Sequence, residues 1–310
     1  MLAGSLYTLV ALVGLLLYAL VTVVFLKYRK DFKNAFYVIA SHLAVSDYGG
    51  LLFNVAFNIP HVFIARPFYP HFLERVILIS TTILSSSMFF LTFLVALQRF
   101  CVFVWTSMEF RLFDKGRVHY TCMCAWLLAT ALTIEIHLGG CEKHFNYEKL
   151  NYPFSCPNGI LPLVPLFLFS SFLPPIMMLM YSAIFLHIRF SKNSVAPKAG
   201  ETTSRGASKN ERNLLIQGFL ICFFLQTLAL GFWFIPTDNL WGPIVFSLWH
   251  KVNRACNPCI YLFFNSTLKK KLRKILKKTS QDSRNAGPLV QRGTKGSQTG
   301  SKRGRRARDS

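Results

Sequence analysis

The chain has 310 residues, of which 52% are hydrophobic and only 15% charged, with a mean hydropathy of +0.37. That is more apolar surface than a soluble core of this length can bury, so the composition describes a membrane protein and excludes a soluble globular domain. A formal charge of +22 would suit nucleic acid if the cations formed one face of a folded domain, but they fall between apolar runs and in the C-terminal tail, which excludes that partner.

Crossing a bilayer takes roughly 20 residues at 1.5 Å rise each. Seven runs are long enough: residues 3–26, 35–59, 74–104, 118–138, 160–188, 213–235 and 241–264. The expected fold is therefore all-α, a seven-helix membrane bundle. The first run has no charge before Lys27, and Lys27, Arg29 and Lys30 follow it. It reads as a retained anchor with its amino end outside, not as a cleaved leader. If the first, third and fifth loops and the tail share one side, that side holds all of the 35 lysines and arginines except Arg66, Arg75, Lys143, Lys149, Lys251 and Arg254. The positive-inside rule makes it cytoplasmic.

In the second span, Asp47 carries a carboxylate into the hydrocarbon layer at a cost of about 3 kcal/mol, which predicts that it faces the bundle interior. The third span ends Gln98-Arg99-Phe100, and by itself Arg99 reads as a positive-inside arginine at a helix end. Trp126 lies mid-span in the fourth run, with Glu135 and His137 near its outer end. Cys141 and Cys156 both fall in the following outer loop, an oxidising compartment. The fifth span contains Pro174, Pro175, Tyr181 and His187, and the polar loop from Ser191 to Asn210 is expected to be mobile. The sixth span has no proline from Leu214 to Phe234, while Gln217 and Gln226 offer hydrogen bonds across helices.

His250, Lys251 and Arg254 stand within the last span. Lys251 and Arg254 share a face at i and i+3. They are read as binding an acidic group of a small ligand or as pairing with Asp47. Next comes Asn257-Pro258-Cys259-Ile260-Tyr261, where the proline removes one helical hydrogen bond and Asn257 is expected to satisfy the freed carbonyl. Cys256 and Cys259 lack a four-ligand set, so a metal site is not expected. From Ser266 to Lys278, Leu268, Leu272, Ile275 and Leu276 recur at helical spacing among lysines, the pattern of a basic helix lying on anionic lipid. The tail, residues 279–310, is rich in Ser, Thr, Gly, Lys and Arg and is expected to be disordered.

The bent last span and the basic helix after it resemble the seventh helix and cytoplasmic helix 8 of rhodopsin-like G-protein-coupled receptors, and Leu43-Ala44-Val45-Ser46-Asp47 is similar to that family's LAxxD pattern. Gln98-Arg99-Phe100-Cys101-Val102-Phe103-Val104-Trp105, then Glu109-Phe110-Arg111-Leu112-Phe113 and Trp126, resemble the nematode serpentine chemoreceptors of the Srx type. The resemblance implies a receptor domain over residues 1–278 and a cytoplasmic tail over 279–310, set in the plasma membrane. It would carry the binding of a small extracellular ligand to a heterotrimeric G protein, with arrestin and membrane lipids as further partners of the tail, and no enzymatic activity.

By the same resemblance, Gln98, Arg99, Phe100, Tyr181, Asn257, Pro258 and Tyr261 form the coupling switch. Gln98 replaces the usual acidic neighbour and cannot hold Arg99 by charge, leaving Glu211 as the restraining candidate. Asp47, Asn253 and Asn257 would hold sodium, although Met88 stands where the third span commonly has a serine. Lys251, Arg254, His250 and Trp233 are the ligand-binding candidates, Trp233 being too close to the outer end for a toggle. Lys251 also matches the retinal-binding lysine of opsins, but the usual counterion place is about Ile77, with Glu74 one turn further out. The outer loop's usual partner position at the top of the third helix is about Glu74, not a cysteine, so a Cys141–Cys156 bridge within the loop is expected, as in the Srx pattern. The alternatives are an opsin-like photoreceptor and a transporter or channel. Transporters often show internal repeats, and none is visible here.

Overall fold

A computed structural model describes residues 2–28, 32, 34–64, 69–114, 116–194, 204–236, 239 and 241–285. The chain order is α1 (Leu2–Lys27), α2 (Ala35–Phe53), a π-helical segment (Asn54–Asn58), α3 (Ile59–Ile64), α4 (His71–Phe103) and α5 (Thr106–Leu112). Then follow α6 (Arg117–Leu138), β1 (Glu142–Lys143), β2 (Phe154–Ser155), a 3-10 turn (Leu161–Leu163), α7 (Val164–Ser194), α8 (Ser204–Phe234), α9 (Trp241–Phe264) and α10 (Ser266–Asn285).

Local chemistry sets several of these boundaries. The Asn34 side chain accepts from the Phe36 amide at 3.4 Å and starts α2. The π-helical segment continues α2 into α3. Within it Asn54 Nδ2 donates to the Gly50 carbonyl at 2.8 Å and Asn58 Nδ2 to Asn54 Oδ1 at 2.8 Å, so side-chain amides stitch the widened turn. Asn265 breaks α9 from α10 and accepts from the Leu268 amide at 3.0 Å, an N-cap.

Among the described residues six helical segments are long and apolar enough to cross a membrane: Leu2–Lys27, Ala35–Ile64, His71–Phe103, Arg117–Leu138, Leu161–Phe190 and Arg212–Phe234. The seventh predicted run is a helix of 24 residues, α9. It falls short of that composition because Lys251, Asn253, Arg254 and Asn257 interrupt it, and all four are buried inside the bundle. The residues from Met1 to Lys271 form one compact unit and those from Leu272 onward another. Within the second unit α10 runs helical to Asn285. Residues 286–310 lie outside the described part.

The core of the first unit begins where α1 meets α2 and α9. Tyr7, Ala11, Tyr18, Ala44, Leu51 and Ile244 pack there as one cluster. α4 is the central helix, touching α2, α6, α7 and α8. On α1, Leu9, Leu12 and Leu16 remain exposed, as lipid-facing residues must.

Candidate functional site

Asp47 on α2 is fully buried and gathers three helices. Its Oδ2 accepts from the Tyr18 hydroxyl of α1 at 2.8 Å and from Asn257 Nδ2 of α9 at 2.7 Å. Its Oδ1 faces Arg254 Nη1 of α9 at 3.7 Å. Among the described residues Arg254 is the largest fully buried side chain. Its Nη1 donates to the Ser46 carbonyl at 2.9 Å and its Nη2 to Ser85 Oγ on α4 at 2.9 Å. Ser46 Oγ in turn donates to the Leu84 carbonyl at 2.6 Å, tying α2 to α4 beside the same cluster. Gly50, one turn from Ser46, leaves room for the guanidinium: a Cβ there would overlap Arg254 Nη1.

Tyr18 has a second role, which sequence reasoning missed. Pro258 lacks an N–H, so the carbonyl four residues earlier, that of Arg254, has no helical donor. Tyr18 Oη lies 3.4 Å from that carbonyl. Asn257, expected to satisfy it, spends its amide on Asp47 instead. The charged acceptor wins because a bond to a carboxylate is roughly twice as strong as a neutral one.

Of the expected cation set, Asp47 and Asn257 meet and Asn253 does not join them. Asn253 Nδ2 turns to Met88 Sδ at 3.7 Å, leaving Asp47 with Asn257, Tyr18 and a guanidinium that already brings positive charge. These residues do not fit a small bound cation. Lys251 is buried, its Nζ 3.9 Å from the centre of the Tyr7 ring and donating to the Ser247 carbonyl at 3.3 Å. Among the described residues no carboxylate pairs with it, so the surroundings do not fit a protonated retinal Schiff base either.

Above Arg254 lies a cavity of about 710 Å³. Ser85, Ser86, His250, Lys251 and Arg254 line one part of it, and Phe167, Phe232 and Phe246 form an aromatic wall. The loop between α6 and α7 contributes Lys143, Tyr152 and Phe154. Cys141 and Cys156 are joined by a disulfide across this loop, as expected from the resemblance. β1 and β2 pair antiparallel in register Glu142 with Ser155 and Lys143 with Phe154. Glu142 meets Arg75 of α4 at 2.6 Å, and the Tyr152 hydroxyl shares a 2.8 Å hydrogen bond with His61 Nδ1 of α3. Burial, then the charge of Glu74, raises Tyr152 above the ordinary tyrosine range. Burial, then the charge of Arg254, lowers Lys143 to about 8.

At the far end of α4, Gln98 and Arg99 are buried and Phe100 is half-buried. The Arg99 guanidinium lies 4.2 Å from the centre of the Phe36 ring, a cation–π contact. The Glu211 side chain is outside the described residues. Tyr181 and Tyr261 are both buried, and Gly218 of α8 admits the Tyr181 ring, since a Cβ there would overlap its hydroxyl. Of the predicted ligand contacts, His250, Lys251 and Arg254 line the cavity. Trp233 does not: it is 64% exposed, edge-on to Phe232, which takes the inward position.

A charged cluster inside a bundle of membrane helices, under a disulfide-closed lid and a cavity of ligand size, suits a receptor. The chain belongs to the serpentine type 7TM GPCR chemoreceptor Srx family, whose model matches residues 8–265. No curated protein matches it.

Proposed function

We propose that the chain crosses the plasma membrane seven times, amino terminus outside and tail inside, and transmits the binding of a small extracellular ligand to a heterotrimeric G protein. α9 supplies the seventh crossing: with Lys251, Asn253, Arg254 and Asn257 all buried, its charges meet protein and not lipid. The observation that carries the reading is that Arg254 belongs to two sites at once. It lines the cavity, and it holds Asp47, whose other oxygen is bound by Asn257 at the Pro258 bend.

A ligand that displaces Arg254 therefore acts on the bend without touching it, a shift between two packings of the same helices. The inner response falls to Arg99, flanked by Gln98 and Phe100, together with Tyr181 and Tyr261. Gln98 beside it is neutral, and the Arg99 guanidinium lies over the Phe36 ring. Arg254 supplies the positive charge beside Asp47.

Nucleotide exchange on a co-expressed G protein tests the reading. Ligand pools should raise exchange in cells carrying the wild-type chain and leave it flat in the Arg99→Ala variant. Exchange that ignores Arg99, or ligand-driven solute flux without exchange, would favour a transporter or channel.

A further inference from the structure

We propose that the cavity takes a small monoanionic organic acid whose carboxylate seats on Lys251 and whose apolar body lies against the Phe167, Phe232 and Phe246 wall. The proposal deepens the receptor reading, on which its signalling consequence rests.

The first observation is an unmet charge. Lys251 is 3% exposed, and the groups around its ammonium, the Ser247 carbonyl and the Tyr7 ring, stabilise a cation without neutralising it. Arg254 on the same face has Asp47, whereas Lys251 has no carboxylate among the described residues. A buried ammonium without a counterion is costly, and an anion delivered through the cavity relieves that cost.

The lid supplies the second, independent observation. Successive side chains of a strand point to opposite faces. In β1 this sends Glu142 to Arg75 at 2.6 Å and leaves Lys143 lining the cavity, 4.6 Å from the centre of the Phe154 ring. The strand thus sorts its two charges, anion away from the cavity and cation into it. Among the described residues Lys143, Lys251 and Arg254 line the cavity against one carboxylate, Glu74, in the first turn of α4.

The committed state of Arg254 selects the kind of anion. Phosphate and sulfate are best held by the planar fork of a guanidinium. Here both Nη atoms are engaged, by Ser46, Ser85 and Asp47, and Nε alone has no partner among the described residues. The point charge of Lys251, paired with no carboxylate among the described residues, suits a single carboxylate. About 710 Å³ is room for a drug-sized molecule. The aromatic wall is continuous, with Phe232 centred 5.6 Å from Phe167 and 6.1 Å from Phe246.

The test measures thermal stabilisation of the full-length receptor in phosphatidylcholine nanodiscs, with no G protein present. The probes are octanoate, 3-phenylpropanoate, indole-3-acetate and 4-phenylbutanoate, each beside its primary amide. At least one acid should stabilise the receptor, with its amide weaker by about tenfold or more. Lys251→Met should erase the preference and Lys251→Arg keep it. Lys143→Met, a change in the lid, should weaken the acid several-fold, so the proposal does not hang on one buried variant. If every acid is silent, if amides match their acids, or if folded Lys251→Met still prefers the acid, the proposal is overturned. Because binding is read directly, its failure is distinct from failure of the receptor reading, which would appear as absent nucleotide exchange.

Discussion

Two seams run through the bundle and are built from different chemistry. Where α1, α2 and α9 meet, the helices are cross-linked by hydrogen bonds to charge: Tyr18 and Asn257 on Asp47, and Arg254 on Ser46 and Ser85. Where α7 and α8 meet, the contacts are rings and sulfur. Phe219 lies edge-on to Tyr181 at 5.8 Å and to Phe185 at 5.7 Å, and Cys222 Sγ approaches Met177 Sδ at 3.8 Å. α8 joins α9 through a Trp249 Nε1 to Thr227 Oγ1 bond of 3.3 Å. Hydrogen bonds to buried charge have one acceptable geometry, whereas aromatic packing tolerates sliding. The contrast separates a seam held by directional bonds to charge from one held by packing.

The largest break should come from Asp47→Ala, which leaves the Arg254 guanidinium buried without its partner. Removing one side of a buried pair costs about 3–5 kcal/mol, and chemical unfolding of the purified receptor in detergent should show a loss of that order. Gly50→Ala should follow at about 1–3 kcal/mol, because the new methyl must push the guanidinium away from Ser46. The same assay should show additivity with Arg254→Ala failing, since both act on one group. Tyr18→Phe should cost about 1 kcal/mol. It should also raise hydrogen exchange at α9 near Pro258, where the Tyr18 hydroxyl on Asp47 also lies 3.4 Å from the Arg254 carbonyl. At the contact of α8 with α9, Trp249→Phe should change stability by about 0.5–1 kcal/mol. A loss there as large as that from Asp47→Ala would erase the contrast.

Much of the first seam was legible in the sequence. A carboxylate in a membrane run must face inward, so Asp47 was placed by cost alone. Arg254 was one of two basic residues on one face, and the sequence left open whether it met a ligand or Asp47. Geometry assigns it to both the cavity wall and the pair. Tyr18 was not legible, since an aromatic in an apolar run reads as packing. The one available hint was that Pro258 strands a carbonyl that some neighbouring hydroxyl must reach.

Lys143 escaped notice because a two-residue strand is too short for its alternation to be read from sequence. Trp233 failed for another reason. α8 is apolar on nearly every face over Leu214–Phe234, so nothing in the sequence fixes its rotation, and neighbours one residue apart differ by about 100°. The inward place went to Phe232. The π-helical turn at Asn54–Asn58 depends on side-chain amide bonds that no periodicity reports.

A double-mutant cycle between Asp47 and Arg254 bears most directly on the claim that the pair is one unit joining cavity to bend. Asp47→Ala, Arg254→Met and the double variant would be compared for unfolding free energy and for basal G-protein nucleotide exchange. The account predicts that the double variant loses less than the two single losses combined, by about 1 kcal/mol or more, and that its basal exchange matches that of either single variant. Single losses that add to within about 0.5 kcal/mol, with basal exchange unchanged throughout, would contradict it.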